Sequence, residues 1–226
     1  MLHKKAIKLV AVTLTIIMTF LLVGSTWISS FDRIYNPWIT WNGYKIYLSR
    51  AHATGGGGTG CDGFVERYGS RDLANHATYG YDPNNLNLLE RGYMVRIGDG
   101  NYIDNVKNSN SWGAYYHIPL HSNGIGGLPE NCATTNDLNY SASGTIVMYY
   151  STSTHGKGMS EAFRVRVGVY GSPGKGKDVK SYNNNLYEIY ATKAYAVYLE
   201  SAFHTFRPDK NWLQNEESWS WRIGYS

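Results

Sequence analysis

Apolar and polar positions change their spacing several times along this chain, and each change marks an element. Residues 9–23 are uncharged and apolar apart from threonines, and the uncharged stretch continues to Phe31. Residues 31–43 contain Pro37, Trp38 and Trp41 without a clear period and read as a connector. From Tyr44 onward, short β-prone runs alternate with stretches of weak helical spacing. Strands are predicted at 46–49, 93–97, 115–120 (interrupted late by Pro119), 144–150, 186–190 and 194–199. Helices are predicted at 67–89, interrupted at Asp82-Pro83, and at 102–112, 160–170 and 208–214. This alternation predicts an α/β fold: a single domain with a central mixed, mostly parallel sheet flanked by helices. No internal repeat interrupts it, which fits one domain over 44–226.

The chain's 226 residues suit one buried core. Its first thirty residues hold Lys4, Lys5 and Lys8 ahead of the apolar run, the pattern of an export segment. Residues 1–30 therefore read as a signal peptide, with small residues at Val23-Gly24-Ser25, or as a membrane anchor through residues 9–28, a run of about 20 residues that would span a bilayer. The formal charge of +4 shrinks once this segment is set aside: 21 basic residues less these three leaves 18, against 17 acidic ones. No dense basic cluster remains, so nucleic acid is not an expected partner. Export also changes the reading of Cys61 and Cys132. An oxidising compartment allows one disulfide, while their wide spacing in loop-like stretches favours two unpaired thiols.

Candidate chemistry gathers at the predicted strand ends. His52 follows the first strand, Glu66 opens the next helix, His121 follows the strand at 115–120, and Glu200 follows the strand at 194–199. In an α/β sheet the carboxyl ends of strands converge on one edge, so these four can meet there. Two histidines and a carboxylate suit a hydrolytic metal that keeps one position open. Glu200, at the end of an apolar strand, is a candidate general base, with an ion pair to Arg207 as the purely structural reading.

The order and contexts of these residues resemble the zinc-dependent N-acetylmuramoyl-L-alanine amidase family from about residue 45 to residue 212. Tyr47-Leu48-Ser49-Arg50-Ala51-His52 and the glycines after it resemble the family's first ligand loop, and Glu66 matches its helix-opening glutamate. Val95-Arg96-Ile97-Gly98-Asp99 looks like its next strand and turn, Pro119-Leu120-His121-Ser122-Asn123 like its Ser-x-His-x-Asn segment, and residues 144–150 like its following Gly-Thr strand. Val197-Tyr198-Leu199-Glu200-Ser201-Ala202-Phe203 is similar to its Val-x-Val-Glu-x-x-Phe segment. The layout resembles sporulation-cortex members. The resemblance implies Zn2+ held by His52, Glu66 and His121, with Glu200 as the catalytic proton carrier. It also implies peptidoglycan as the partner, cut between N-acetylmuramic acid and L-alanine, at the carboxyl edge of the strands. Asn123 and His204 are expected to touch substrate, and the protein is expected to be an exported monomer in or near the cell wall.

The family usually carries Asp-Pro-Gly-His-Gly at its first histidine, whereas this chain has Ser49-Arg50-Ala51-His52-Ala53 and an insert at 124–143. Arg50, if it pointed at the metal, would disfavour it, which motivates an alternative reading as a non-catalytic peptidoglycan binder. A zinc peptidase acting within the stem peptide is a third reading. Residues 55–60 formally satisfy G-x-G-x-x-G but read as a mobile lip beside His52, and Gly174-Lys175-Gly176-Lys177 reads as an exposed turn. His76, His117 and His155 are read as structural. Neither Ser122 nor Cys61 has an evident base in the sequence beside it.

Overall fold

The computed structural model describes residues 32–80, 87–125, 132, 143–169, 176–182 and 186–214. Residues 1–30, expected to be an export segment, the Asp82-Pro83 interruption, most of the insert at 124–143 and residues 170–175 fall outside them. Among the described residues no helix is long and apolar enough to cross a membrane.

Seven strands form one sheet: β1 (Arg33–Tyr35), β2 (Lys45–Arg50), β3 (Met94–Gly98), β4 (Tyr116–Asn123), β5 (Thr145–Tyr150), β6 (Gly176–Tyr182) and β7 (Tyr195–Phe203), in the order β1-β3-β2-β4-β7-β5-β6. β3, β2, β4 and β7 run parallel to one another, while β1 against β3 and β5 against β7 are antiparallel. The helices are α1 (Glu66–Tyr79), α2 (Tyr102–Trp112), α3 (Thr154–Phe163), α4 (Tyr187–Tyr190) and α5 (Arg207–Gln214). This is the mixed, mostly parallel α/β sheet that the alternation predicts.

Strand parity divides the sheet into two chemically different faces. Ile46 and Leu48 of β2, Ile118 and Leu120 of β4, and Val197 and Leu199 of β7 join one apolar core with Leu73, Ala74 and Ala77 of α1 and Trp212 and Leu213 of α5. Positions 73, 74 and 77 lie on one stripe of α1, which is why that helix lies flat on the sheet. The intervening residues Tyr47, Ser49, His117 and His121 face the other way, towards α2 and α4. Asn105 of α2 and Glu188 of α4 reach into this second layer, and Tyr47, Asn105 and His117 are fully buried there. One side of the sheet is oily and the other is a hydrogen-bonded polar layer.

Several expectations are corrected. Residues 31–43, read as a connector, include β1, whose Ile34 pairs with Arg96 of β3. Asp32 beside it accepts hydrogen bonds from Tyr47 Oη (2.7 Å), Arg96 Nε (3.0 Å) and Asn108 Nδ2 (3.1 Å), so this segment is tied into the domain. Residues 186–190, predicted as a strand, form the single helical turn of α4; tertiary packing of Ile189 against Met148 and Tyr198 overrides a β-prone composition. The helix expected at 160–170 begins at Thr154, where Ser153 Oγ caps Gly156 N–H at 2.9 Å, and continues past Phe163 as a π-helical segment, Arg164–Val169. Gly176 and Lys177 lie in β6 rather than in a turn. Pro119 does not interrupt β4, which runs on to Asn123, and β7 likewise extends past Glu200 to Phe203. Cys61 and Cys132 are joined in a disulfide, with Cα atoms 5.1 Å apart, rather than unpaired.

Candidate metal centre

Three elements deliver the candidate ligands to the carboxyl edge of β2 and β4. β2 ends at Arg50, and the chain turns at once: Ala51 N–H bonds Leu120 O at 3.1 Å, and Gly55 N–H returns to His52 O at 2.9 Å. His52 takes φ 51°, a left-handed conformation that bulky residues adopt rarely, and this turns its ring over the strand ends. Glu66 occupies the first turn of α1, where exposed backbone N–H groups favour a carboxylate. His121 lies in β4, two residues before the strand ends at Asn123.

The three side chains meet. One ligand atom from each of His52, Glu66 and His121 lies within 4.8 Å of the other two. Glu66 sits between the rings: its Oε1 is 3.0 Å from His121 Nδ1 and its Oε2 3.5 Å from His52 Nε2. The two imidazoles are edge to face with centroids 5.5 Å apart, and His121 also stacks on Tyr198 at 4.5 Å. Two imidazole nitrogens and a carboxylate around one point form a donor set suited to a divalent transition ion.

Electrostatics agree with a site made for a cation. Burial works against a charge on His121, but Glu188 and Glu66 hold its proton and push its pKa up to about 10 in the metal-free protein. Glu66 is likewise buried, yet His121 and the Gly58 and Ser122 N–H groups pull its carboxyl down to about 2. Glu200 is the exception. Burial first, and the charge of Glu66 second, push it up to about 7 against the pull of His121, and its Oε2 is buried without a hydrogen-bond partner. It pairs with His121 across β4 and β7, one strand over from the candidate ligand. An orphaned carboxylate oxygen in this position is what a bound ion or its water would satisfy.

The glycine-rich loop is not a free lip. Gly58 N–H bonds Glu66 Oε2 at 3.1 Å, Gly60 N–H bonds Phe64 O at 2.8 Å, and Thr59 bridges Val65. A Cβ on Gly58 would lie 2.5 Å from His204 Nε2, so glycine is needed there for close approach. His204 is buried, stacked on Phe64 and bonded through Nδ1 to Ser122 Oγ at 2.9 Å; burial lowers its pKa and favours the neutral ring. Ser122 thus does have an imidazole beside it, contrary to expectation, but it is itself buried.

An open cleft of about 770 Å³ runs across the site and is lined by His52, Glu66, His121, Asn123, Glu200 and His204 among others. No family model and no curated protein matches the chain by sequence. Solved structures do match by shape. An N-acetylmuramoyl-L-alanine amidase from Clostridium difficile 630 aligns at TM-score 0.64 and 15% identity, over 80% of this chain and 93% of that one. The N-acetylmuramoyl-L-alanine amidase AmiC2 of Nostoc punctiforme aligns at 0.63 and 15%, over 80% and 93%. The catalytic domain of the CD27L endolysin targeting Clostridia difficile aligns at 0.61 and 19%, over 80% and 94%. The chain has the N-acetylmuramoyl-L-alanine amidase fold.

Within that amidase fold two features were not anticipated. Arg50 turns away from the candidate ligands to pair with Asp99 at the end of β3, and it does not line the cleft. Glu188 enters the site from below, with Oε2 3.7 Å from His121 Nε2. Sequence reasoning missed it because its segment was taken for a strand. The available signal was the polar parity of Ser49, His117 and His121, three groups on one buried face that require a partner.

Proposed function

We propose that this protein hydrolyses the amide bond between N-acetylmuramic acid and L-alanine in peptidoglycan, with Zn2+ held by His52, Glu66 and His121. The observation that carries this reading is the convergence of three ligand atoms within 4.8 Å near Glu200, whose buried Oε2 has no hydrogen-bond partner, in a cleft on this fold. Zinc, when bound, supplies a Lewis acid that polarises the lactyl carbonyl and makes water a competent nucleophile near neutral pH. Glu200 takes the proton from the attacking water and delivers it to the departing amine of L-alanine, which leaves poorly until protonated. A carboxyl that titrates near neutrality in the metal-free protein is suited to both halves of that transfer. Asn123 and the neutral ring of His204, both lining the cleft, are placed to hydrogen-bond substrate.

The export segment implies that the enzyme works outside the cytoplasm, released or anchored through residues 9–28. The non-catalytic alternative rested on the altered sequence around His52 and on Arg50, and the ion pair of Arg50 to Asp99 weighs against the second of these. The test is purified protein incubated with sacculi, with and without chelator, beside Glu200→Ala. New L-alanine amino termini that require metal and intact Glu200 support the reading. Cleavage between stem-peptide residues, read by mass spectrometry, would replace it with a zinc peptidase.

A further inference from the structure

The cleft is also lined by a second buried carboxylate that the proposed reaction does not use. Glu188 is 5% exposed, and its two oxygens face two different histidines: Oε2 lies 3.7 Å from His121 Nε2, and Oε1 lies 3.6 Å from His117 Nε2. It is fixed from the sheet side. Ser49 Oγ donates to Oε1, Asn105 Nδ2 donates to Ser49 Oγ at 2.9 Å, and Gly100 N–H holds Asn105 Oδ1 at 3.0 Å. These contacts run from α4 through β2 to α2 and leave the carboxylate little freedom.

We propose that Glu188 is a positioning residue for His121, accepting the Nε2–H and thereby turning the Nδ1 lone pair towards His52 and Glu66. The inference rests on those three residues being the zinc site. A neutral imidazole carries one proton on either nitrogen, and the hydrogen bond made by one nitrogen decides which is left to bind a metal. In His121 the Nδ1 edge faces Glu66 at 3.0 Å and the opposite edge faces Glu188, so the two carboxylates divide the ring between them. Stacking on Tyr198 restrains the ring from flipping. A purely structural role would pair Glu188 with a permanent cation, but the two partners of its ion pairs are both histidines. At 3.7 Å the pair is an ion-pair contact longer than a hydrogen bond, and the positioning role requires it to shorten when the metal binds.

The test is the zinc dissociation constant at fixed pH, by chelator competition, for the wild type, Glu188→Ala, Glu188→Gln and Ser49→Ala. It is read together with the nitrogen-15 spectrum of the His121 ring in the zinc-loaded wild type. Glu188→Ala is expected to weaken zinc by ~10–100-fold, as loss of an outer partner of a ligating histidine does. Glu188→Gln, whose amide oxygen still accepts the N–H, should recover most of that loss, and Ser49→Ala should fall between. The wild-type ring should show its proton on Nε2, a readout that a merely structural carboxylate would not set. Equal zinc affinity in all four proteins overturns the inference; if Glu188→Ala fails to fold, equal affinity in the other three or a wild-type ring protonated on Nδ1 still does. A wild type that holds no zinc, unaltered by His52→Ala, overturns the metal reading instead.

Discussion

Gly58 donates its backbone N–H to Glu66 Oε2 at 3.1 Å, so the glycine loop directly holds a candidate metal ligand. A methyl group at this position would meet His204 Nε2 at 2.5 Å and Glu66 Oε2 at 3.4 Å, and neither side chain is free to retreat. Gly58→Ala should therefore weaken zinc binding by ~10-fold, the scale of lost outer support at a metal site. Chelator competition measures it; an unchanged dissociation constant would show that the loop is dispensable.

Glu200 should separate metal binding from turnover. Glu200→Gln keeps the shape of the side chain but neither takes nor gives a proton, and kcat should fall by ~10²–10⁴. Zinc content, read by elemental analysis, should stay at one per chain. Loss of zinc in this variant would make Glu200 a ligand rather than a proton carrier.

Zinc uptake should release a proton. In the metal-free protein His121 is held protonated up to about pH 10, and zinc must displace that proton. Titration calorimetry at pH 7 in buffers of different ionisation enthalpy should find about one proton released per zinc. Uptake with no proton released would contradict the arrangement.

The same groups set the pH dependence of the metal-free fold. His121 is raised from its ordinary 6.5, so its contribution is complete below that value and disappears as pH rises through about 10. Glu200 is raised from 4.5, so folding is penalised once pH passes from 4.5 through about 7. Glu66 is depressed and acts in the opposite sense, losing its contribution only as pH falls from 4.5 towards about 2. The melting temperature of the metal-free protein should therefore be higher at pH 5 than at pH 9, and excess zinc should narrow the difference. Differential scanning calorimetry with and without chelator checks the sign.

The Cys61–Cys132 bridge closes a sequence separation of 71 residues, and Cys61 N–H also bonds His204 O at 2.8 Å. Cys132→Ser should lower the unfolding free energy by about 2–4 kcal/mol, the usual range for a bridge of this kind. Denaturant unfolding measures it, and treating the wild type with a reductant should produce the same loss.

Most of the sheet was legible because its strands are short apolar runs and its helices carry spaced apolar stripes. Leu73, Ala74 and Ala77 announce the face of α1, and Val197 and Leu199 that of β7. The four residues of the candidate site were legible for a different reason: each stands near the carboxyl end of a strand or at the start of a helix, and parallel strands bring such positions to one edge. What could not be read is what depends on tertiary contact. β1 is three residues long and gains its conformation from pairing with β3 and from the bonds around Asp32. α4 is a single turn inside a β-prone run, and with it Glu188 was hidden. The direction of Arg50 was set by Asp99, 49 positions away in sequence. Local composition carries no trace of such pairings.

The left-handed backbone at His52 has an evolutionary corollary. Glycine or asparagine would occupy that conformation more comfortably than an imidazole-bearing residue. In the metal-free state the mutant His52→Asn should be no less robust than its parent while being catalytically dead. Robustness and activity thus pull residue 52 in opposite directions, and a descendant released from the need to hydrolyse anything would be expected to drift there first.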